Sequence, residues 1–105
     1  MTRKYRFYIG LNDKDTKKII EGGRQKLLDA LDIVFDSYTF ILSTGRYVYI
    51  DSTVCTEPSV IVEFVDFTND IYEERILKNI VRYLKTKLNQ EAIMVEVTDV
   101  NIQLI

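Results

Sequence analysis

The sequence of 105 residues contains no histidine and no tryptophan, one cysteine and one proline. Without histidine the chain cannot by itself build a Ser-His or Cys-His nucleophile pair or a histidine-ligated metal site. The lone Cys55 excludes an intrachain disulfide and a paired-cysteine redox motif, which favours a reducing compartment. The N-terminal residues lack the apolar segment of a leader, and no apolar run approaches the roughly 18 residues that span a bilayer. We therefore expect a cytoplasmic protein with no membrane contact, no metal and no cofactor.

The composition is that of an ordinary globular protein, with 47% hydrophobic and 29% charged residues. We expect a single domain over residues 1–105. Charge is uneven along the chain: residues 1–26 carry eight bases and three acids, residues 27–74 carry one base and ten acids, and residues 75–105 carry five bases and three acids. This pattern is consistent with a basic face that attracts an acidic partner, or simply with charges placed at helix ends to suit the helix dipoles.

Hydrophobic periodicity predicts six elements in the order β-α-β-β-α-β. The strands are expected at 4–11, from 37 onward, at 59–67 and at 92–97, and the helices at 16–33 and 70–88, the second with a capping box at Asp70 and Glu73. Residues 51–58 are predicted to be a loop, and residues 46–58 leave open whether a hairpin or one bent strand forms. This order indicates an α+β, ferredoxin-like βαββαβ plait, an antiparallel sheet of order 4-1-3-2 with two helices on one face.

The pair Gly22-Gly23 lies inside the first predicted helix, where each glycine costs about 1 kcal/mol relative to alanine. The helix either kinks or starts late at this pair, or its backbone packs closely against the sheet. We expect close packing.

The second face of the sheet is predicted to be apolar, because the strand at 59–67 carries hydrophobic residues on both sides and Tyr8 and Met94 are expected to join its open face. Exposed apolar surfaces of this size generally mark interfaces or ligand grooves. A second copy of the chain, the chain's own 47–58 or 100–105 segment, or a partner could cover it.

Basic and aromatic side chains interleave on two predicted strands, at Arg6, Tyr8, Arg46, Tyr47 and Tyr49. Such a pattern is typical of a stacking platform for flat ligands, and equally of a dimer contact. The basic-Gly-aromatic run of sheet-based RNA binders is absent, so we do not expect a nucleic-acid partner.

Glu63 and Glu96 occupy the middle of two strands that are predicted to flank the strand carrying Arg6. Two such carboxylates can form an acid-base pair or ligate a hard metal, but ion pairing with Arg6 is the simpler expectation. The candidates for ligand or partner binding are therefore Arg6, Tyr8, Arg46, Tyr47, Tyr49, Glu63, Met94 and Glu96, with no catalytic residue among them.

Four segments, YRFYIGL at 5–11, FDSYTFILSTGRYV at 35–48, EPSVIVEF at 57–64 and LNQEAIMVEV at 88–97, resemble in order and separation a bacterial and phage family of small domains of unknown function. The resemblance implies a ferredoxin-like fold and brings no catalytic residues. The positions that match the family pattern are Gly10, Gly45, Glu57, Ser59, Gln90 and Glu91.

We predict from these features a non-enzymatic binding protein that self-associates as a homodimer through the second sheet face, of phage or mobile-element origin and acting on a host protein. The alternative is a small dimeric α+β-barrel-type enzyme or ligand binder with a cavity between helices and sheet that includes Arg6, Tyr8 and Tyr47. A third hypothesis is nucleotide or nucleic-acid binding through the Arg/Tyr face.

Overall fold

Four strands and two helices follow one another in the predicted order in the computed structural model, which describes residues 2–67 and 74–105. The strands are β1 (Thr2–Gly10), β2 (Thr39–Val48), β3 (Val54–Asp66) and β4 (Met94–Val100), and the helices are α1 (Gly23–Val34) and α2 (Glu74–Lys87). All pairings are antiparallel, and the order across the sheet is β2-β3-β1-β4. The predicted α+β class and strand order are therefore confirmed.

The core lies between one face of the sheet and both helices. Alternate residues of β1 and β3 point into it, since side chains along a strand face opposite sides in turn, and both helices add leucines to the same cluster. The fully buried members are Tyr5, Phe7, Ile9, Leu27, Leu31, Val60, Val62, Leu84 and Leu88. Each such burial contributes about 1.5–3 kcal/mol. Neither of the two described helices lies over the opposite face, called here the second face.

The first helix starts at Gly23, later than predicted, and the expectation of close packing at the glycine pair is wrong. Gly22 precedes it in the left-handed conformation, with φ of 65°, which glycine adopts at little cost. Residues before it form a turn instead, because the carboxylate of Asp13 accepts the backbone N–H groups of Asp15 and Thr16.

The segment that follows β2 is a hairpin, so the predicted loop at 51–58 is wrong over most of its length. The N–H of Tyr49 donates to the carbonyl of Thr53 over 2.9 Å, which closes the turn. Val54 already pairs with Val48, and the pairing continues through Pro58. The hairpin places the 54–58 segment beside 44–48.

The second helix ends close to the predicted position, and Asn89 follows it with a positive φ of 45°, as a C-terminal cap requires. The predicted capping box at Asp70 and Glu73 lies outside the described residues. Within the described ranges, neither helix has the length and apolar content to cross a membrane.

A row of charged and polar side chains crosses the middle of the second face. Arg6 is in register with Glu63 on one side and Glu96 on the other. Its guanidinium lies 2.7 Å from Glu63, which also pairs with Lys4 at 3.5 Å, and the hydroxyl of Tyr8 donates to Glu96 over 2.6 Å. The expected ion pair is therefore present, whereas the expectation of an apolar second face is wrong at its centre. Coverage by a second copy stays a prediction.

Candidate functional site

A cavity of about 530 Å³ opens on the second face at the end where β1 finishes and the β2–β3 hairpin begins. The register places Gly10 opposite Ser59 and Gly45 opposite Glu57 at this end. Because Gly10, Gly45 and Ser59 are small, space remains between the larger side chains that line the cavity. The main lining residues are Tyr8, Gly10, Gly45, Arg46, Tyr47, Tyr49, Glu57, Ser59, Ile61, Gln90, Glu91 and Met94.

The carboxylate of Glu57 is the most unusual group in this cavity. The residue is only 6% exposed, and burial raises the pKa of its carboxyl, which the bond from the backbone N–H of Asn12 opposes. That bond, from Asn12 N–H to Oε2, is 2.9 Å long. No lysine or arginine in the described part of the chain forms an ion pair with Glu57. A buried acid without a counterion is costly to the fold, so a cationic ligand would gain most by binding there.

Glu57 accepts a hydrogen bond from the backbone of Asn12, and the side chains of Asn12 and Gln90 fix the position of that backbone. The side-chain amide of Gln90 donates to the carbonyl of Asn12 over 2.7 Å and to that of Leu88 over 3.0 Å. The amide of Asn12 in turn donates to the sulfur of Cys55 over 2.8 Å. The end of β1, the end of α2 and the start of β3 are thereby tied together beneath the cavity.

Tyrosines form the wall of the cavity. Tyr47 and Tyr49 meet edge to face with ring centroids 5.0 Å apart, and the hydroxyl of Tyr47 donates to Glu91 over 2.8 Å. Burial, followed by the nearby charge of Glu57, raises the pKa of Tyr49 to about 12, and burial also raises that of Tyr47. Both hydroxyls therefore stay protonated at neutral pH and act as hydrogen-bond donors and aromatic surface, not as bases.

Together these groups suit a ligand that is cationic at one point and flat and aromatic elsewhere. Tyrosine faces attract cations and stack on aromatic rings, while Met94 and Ile61 add apolar contact. The buried carboxylate supplies the negative charge.

A second, more open cavity of about 710 Å³ shares Tyr49, Gln90 and Glu91 with the first. Its other charged lining residues are of both signs, namely Lys14, Asp15, Lys17, Asp51, Arg82 and Lys85. Lys17 is paired with Asp51 at 3.1 Å. This neighbouring cavity therefore offers polar partners of both signs.

The structure brings together most of the residues that the sequence singles out. Tyr8, Arg46, Tyr47, Tyr49 and Met94 line the first cavity, as do the six family-pattern positions. Arg6, Glu63 and Glu96 do not line it, because they form the charged row on the same sheet face. The enzyme hypothesis placed the cavity between the helices and the sheet. This location is wrong, because the cavity lies on the second face.

Asn12 is a site residue that no pattern in the sequence singles out. Asn12 is only 5% exposed, and its role depends on partners far along the chain. No local pattern marks such a residue.

Searches with the sequence find no matching protein-family model and no matching curated protein. The solved structures that share the fold include two of a phage enzyme. A phage SAM lyase in complex with S-methyl-5'-thioadenosine has a TM-score of 0.73 and 20% identity, with 93% of this chain and 81% of that chain covered. A phage SAM lyase in the apo state has a TM-score of 0.65 and 21% identity, with 91% and 78% covered.

These similarities overturn the prediction of a non-enzymatic binding protein. The sequence-based inference assumed that a histidine-free plait of this size works by binding alone, yet the same fold over most of its length belongs to a lyase. The resemblance to a family of unknown function stays a prediction. What the comparisons establish directly is the shared architecture, a four-stranded antiparallel sheet with two helices.

Proposed function

We propose that this chain is a lyase that cleaves S-adenosylmethionine and releases S-methyl-5'-thioadenosine, and that its fold is the ferredoxin-like arrangement expected from the sequence. The observation that carries the proposal is the buried carboxylate of Glu57, which has no ion-pair partner among the described residues, in a tyrosine-walled cavity. The substrate of this reaction has a sulfonium cation next to a nucleoside, which is the combination that the cavity suits. The shared fold with a SAM lyase supports the same assignment.

The reaction breaks the bond between the sulfonium sulfur and the adjacent carbon of the amino-acid chain. The electron pair of this bond goes to sulfur, which becomes a neutral thioether in the nucleoside product. Since a lyase adds no water, the amino-acid fragment completes its valence by bonding its own carboxylate oxygen to that carbon, which closes a lactone. This route balances without a base, and it removes the sulfonium charge.

The residues of the cavity serve this step by binding and by excluding water. Glu57 holds the cationic end of the substrate, and Tyr8 and Tyr47 offer faces for the nucleoside. The zwitterionic amino-acid end can reach the neighbouring cavity, whose charged groups are of both signs. Because charge disappears during the reaction, transfer from water into this less polar site favours the step.

Purified protein incubated with S-adenosylmethionine tests the proposal by chromatography and mass spectrometry. We expect S-methyl-5'-thioadenosine to accumulate. In a thermal-shift assay, the same nucleoside at ~100 times its dissociation constant is expected to stabilise the fold by ~2.7 kcal/mol. Absence of both product and binding would refute the proposal, and binding without turnover would refute the lyase assignment.

Two carboxylates of β3 provide a matched pair of variants. Glu57→Gln keeps the size of the side chain and removes its charge from the cavity. Because the cation that Glu57 holds is neutralised during the reaction, we expect a higher KM and a kcat/KM about 100-fold lower. Glu63→Gln lies on the same strand and the same sheet face but outside the cavity, and it is expected to retain activity within about threefold. Equal losses in the two variants would contradict the role of Glu57.

A further inference from the structure

Gly10 lies at the end of β1, directly against the carboxylate of Glu57. A Cβ atom at this position would overlap Oε1 of Glu57 and would lie 2.7 Å from its carboxyl carbon and 2.9 Å from Oε2. The backbone of Gly10 does not have a positive φ, since Gly22 alone has one among the described glycines. The position therefore needs glycine for space and not for conformation.

The position of the Glu57 carboxylate, called here its seat, lies beside a hydrogen-bond donor that is held in place by other contacts. Asn12 N–H is 2.9 Å from Oε2 of Glu57, and the Asn12 backbone is fixed by the side chain of Gln90 and by a strand-like bridge to Ile19. Because the donor is fixed, the carboxylate has to come to the donor. In the structure it does so across the space above Gly10.

We propose that Gly10 is a positioning residue for Glu57: the absence of its side chain lets the carboxylate lie against β1 beside the N–H of Asn12, in the orientation that faces the cavity. This inference rests on the proposed function, in which Glu57 holds the cation of the substrate. Gly10 itself contributes no group to the chemistry and acts through Glu57 alone.

Alanine at this position is expected to displace Glu57 and to leave the fold intact. The atoms that the new methyl group would meet are the far end of a flexible side chain, which can rotate away at small cost. A core glycine that met backbone atoms would instead force the strand to shift. The fold and the position of the carboxylate can therefore be perturbed separately.

Gly10→Ala and Gly45→Ala form a matched pair, since both glycines line the cavity from neighbouring parts of the sheet. A Cβ at Gly45 would lie 3.5 Å from Oγ of Ser59, an ordinary contact. We expect Gly10→Ala to lower kcat/KM by about 100-fold, the cost of displacing a binding group by about 1 Å. Gly45→Ala adds a methyl group to the same cavity without meeting Glu57, so it is the control for the position of the carboxylate and not for activity. A Gly10→Ala variant that keeps the native kcat/KM would overturn the proposal.

A double-mutant cycle separates action through Glu57 from a general effect on the cavity. In the background of Glu57→Gln, Gly10→Ala is expected to cause no further loss, so that the two effects on kcat/KM are strongly non-additive. Additive losses would mean that Gly10 acts on something other than Glu57 and would refute the positioning role.

A measurement without ligand keeps this inference distinct from the proposed function. NMR titration of the Glu57 carboxyl carbon is expected to show a raised pKa in the native protein and in Gly45→Ala, and a pKa closer to the ordinary value in Gly10→Ala, where the displaced carboxylate is more hydrated. If S-adenosylmethionine is neither bound nor cleaved, the proposed function fails while this titration still decides the role of Gly10. An unchanged pKa in Gly10→Ala would overturn that role.

The groups around the seat allow this titration to be assigned. Tyr47 and Tyr49 face it from the hairpin, Cys55 from β3 and Glu91 from the segment before β4. Both tyrosines have a raised pKa and stay neutral in the acidic and neutral range. Glu91 is the other carboxyl group that lines the cavity, so a Glu91→Gln sample identifies its resonance.

Discussion

Replacement of Glu57 by glutamine is expected to separate stability from function. The native carboxyl is 6% exposed, and burial is the main cause of its raised pKa. Glutamine fits the same volume and can accept the N–H of Asn12 through its carbonyl oxygen, but it carries no charge that must be desolvated. At neutral pH the variant is therefore expected to be at least as stable as the native protein while it loses the ability to hold a cation.

The pH dependence of the free energy of unfolding gives the size and the sign of the effect of the Glu57 charge. The folded protein holds a proton on Glu57 at pH values where the unfolded chain, with an ordinary pKa of 4.5, has lost it. The native free energy of unfolding therefore falls as pH rises from 4.5 to the raised pKa, with a slope of up to about 1.4 kcal/mol per pH unit. Above the raised pKa the loss is complete. The variant lacks this decline.

Urea unfolding followed by circular dichroism from acidic to mildly basic pH measures this difference. We compare the free energy of unfolding of Glu57→Gln with that of the native protein. The difference, variant minus native, is expected to increase with pH and then to level off. Glu63→Gln is the control of opposite sign, since it removes the pairs with Arg6 and Lys4 and should cost roughly 0–1 kcal/mol. A Glu57→Gln variant that is less stable than the native protein at basic pH would refute the reasoning, because it would mean that the charged form stabilises the fold.

Three further predictions concern the core, the cavity wall and the hairpin. Leu31→Ala removes a fully buried side chain and should lower the free energy of unfolding by about 2–5 kcal/mol in urea titrations. Tyr47→Phe removes the 2.8 Å bond to Glu91 and should cost about 1 kcal/mol in the same assay; no loss would mean that this bond does not order the wall. The pKa of Asp51 is lowered to about 2, first by its bonds to Thr53 and then by Lys17, so its stabilising contribution is present above the ordinary value of 3.8 and is lost as pH falls through about 2. Asp51→Asn should therefore flatten the acid limb of the stability curve, and an unchanged acid limb would contradict this assignment.

The order of the elements follows from local patterns. Alternation in β1 and β3 and the helical spacing of the leucines have periods of two and 3.6 residues, which neighbouring residues alone establish. The strand order then follows from simple connection rules. The sequence-based predictions were wrong where local signals conflict. The helix α1 begins only at the second of two glycines, and Pro58 made the first part of β3 resemble a loop.

The sequence by itself determined the six elements, their order and the residues that were worth testing, including all six positions of the family pattern. Only the tertiary structure decided which of them form a site. The N–H that binds Glu57 belongs to Asn12, which is 45 positions away in the chain. The side-chain amide that fixes Asn12 belongs to Gln90, which is 78 positions from Asn12. The physical reason is that a buried carboxylate is defined by the groups that surround it, and these groups come together only when the sheet pairs and the hairpin closes over its end.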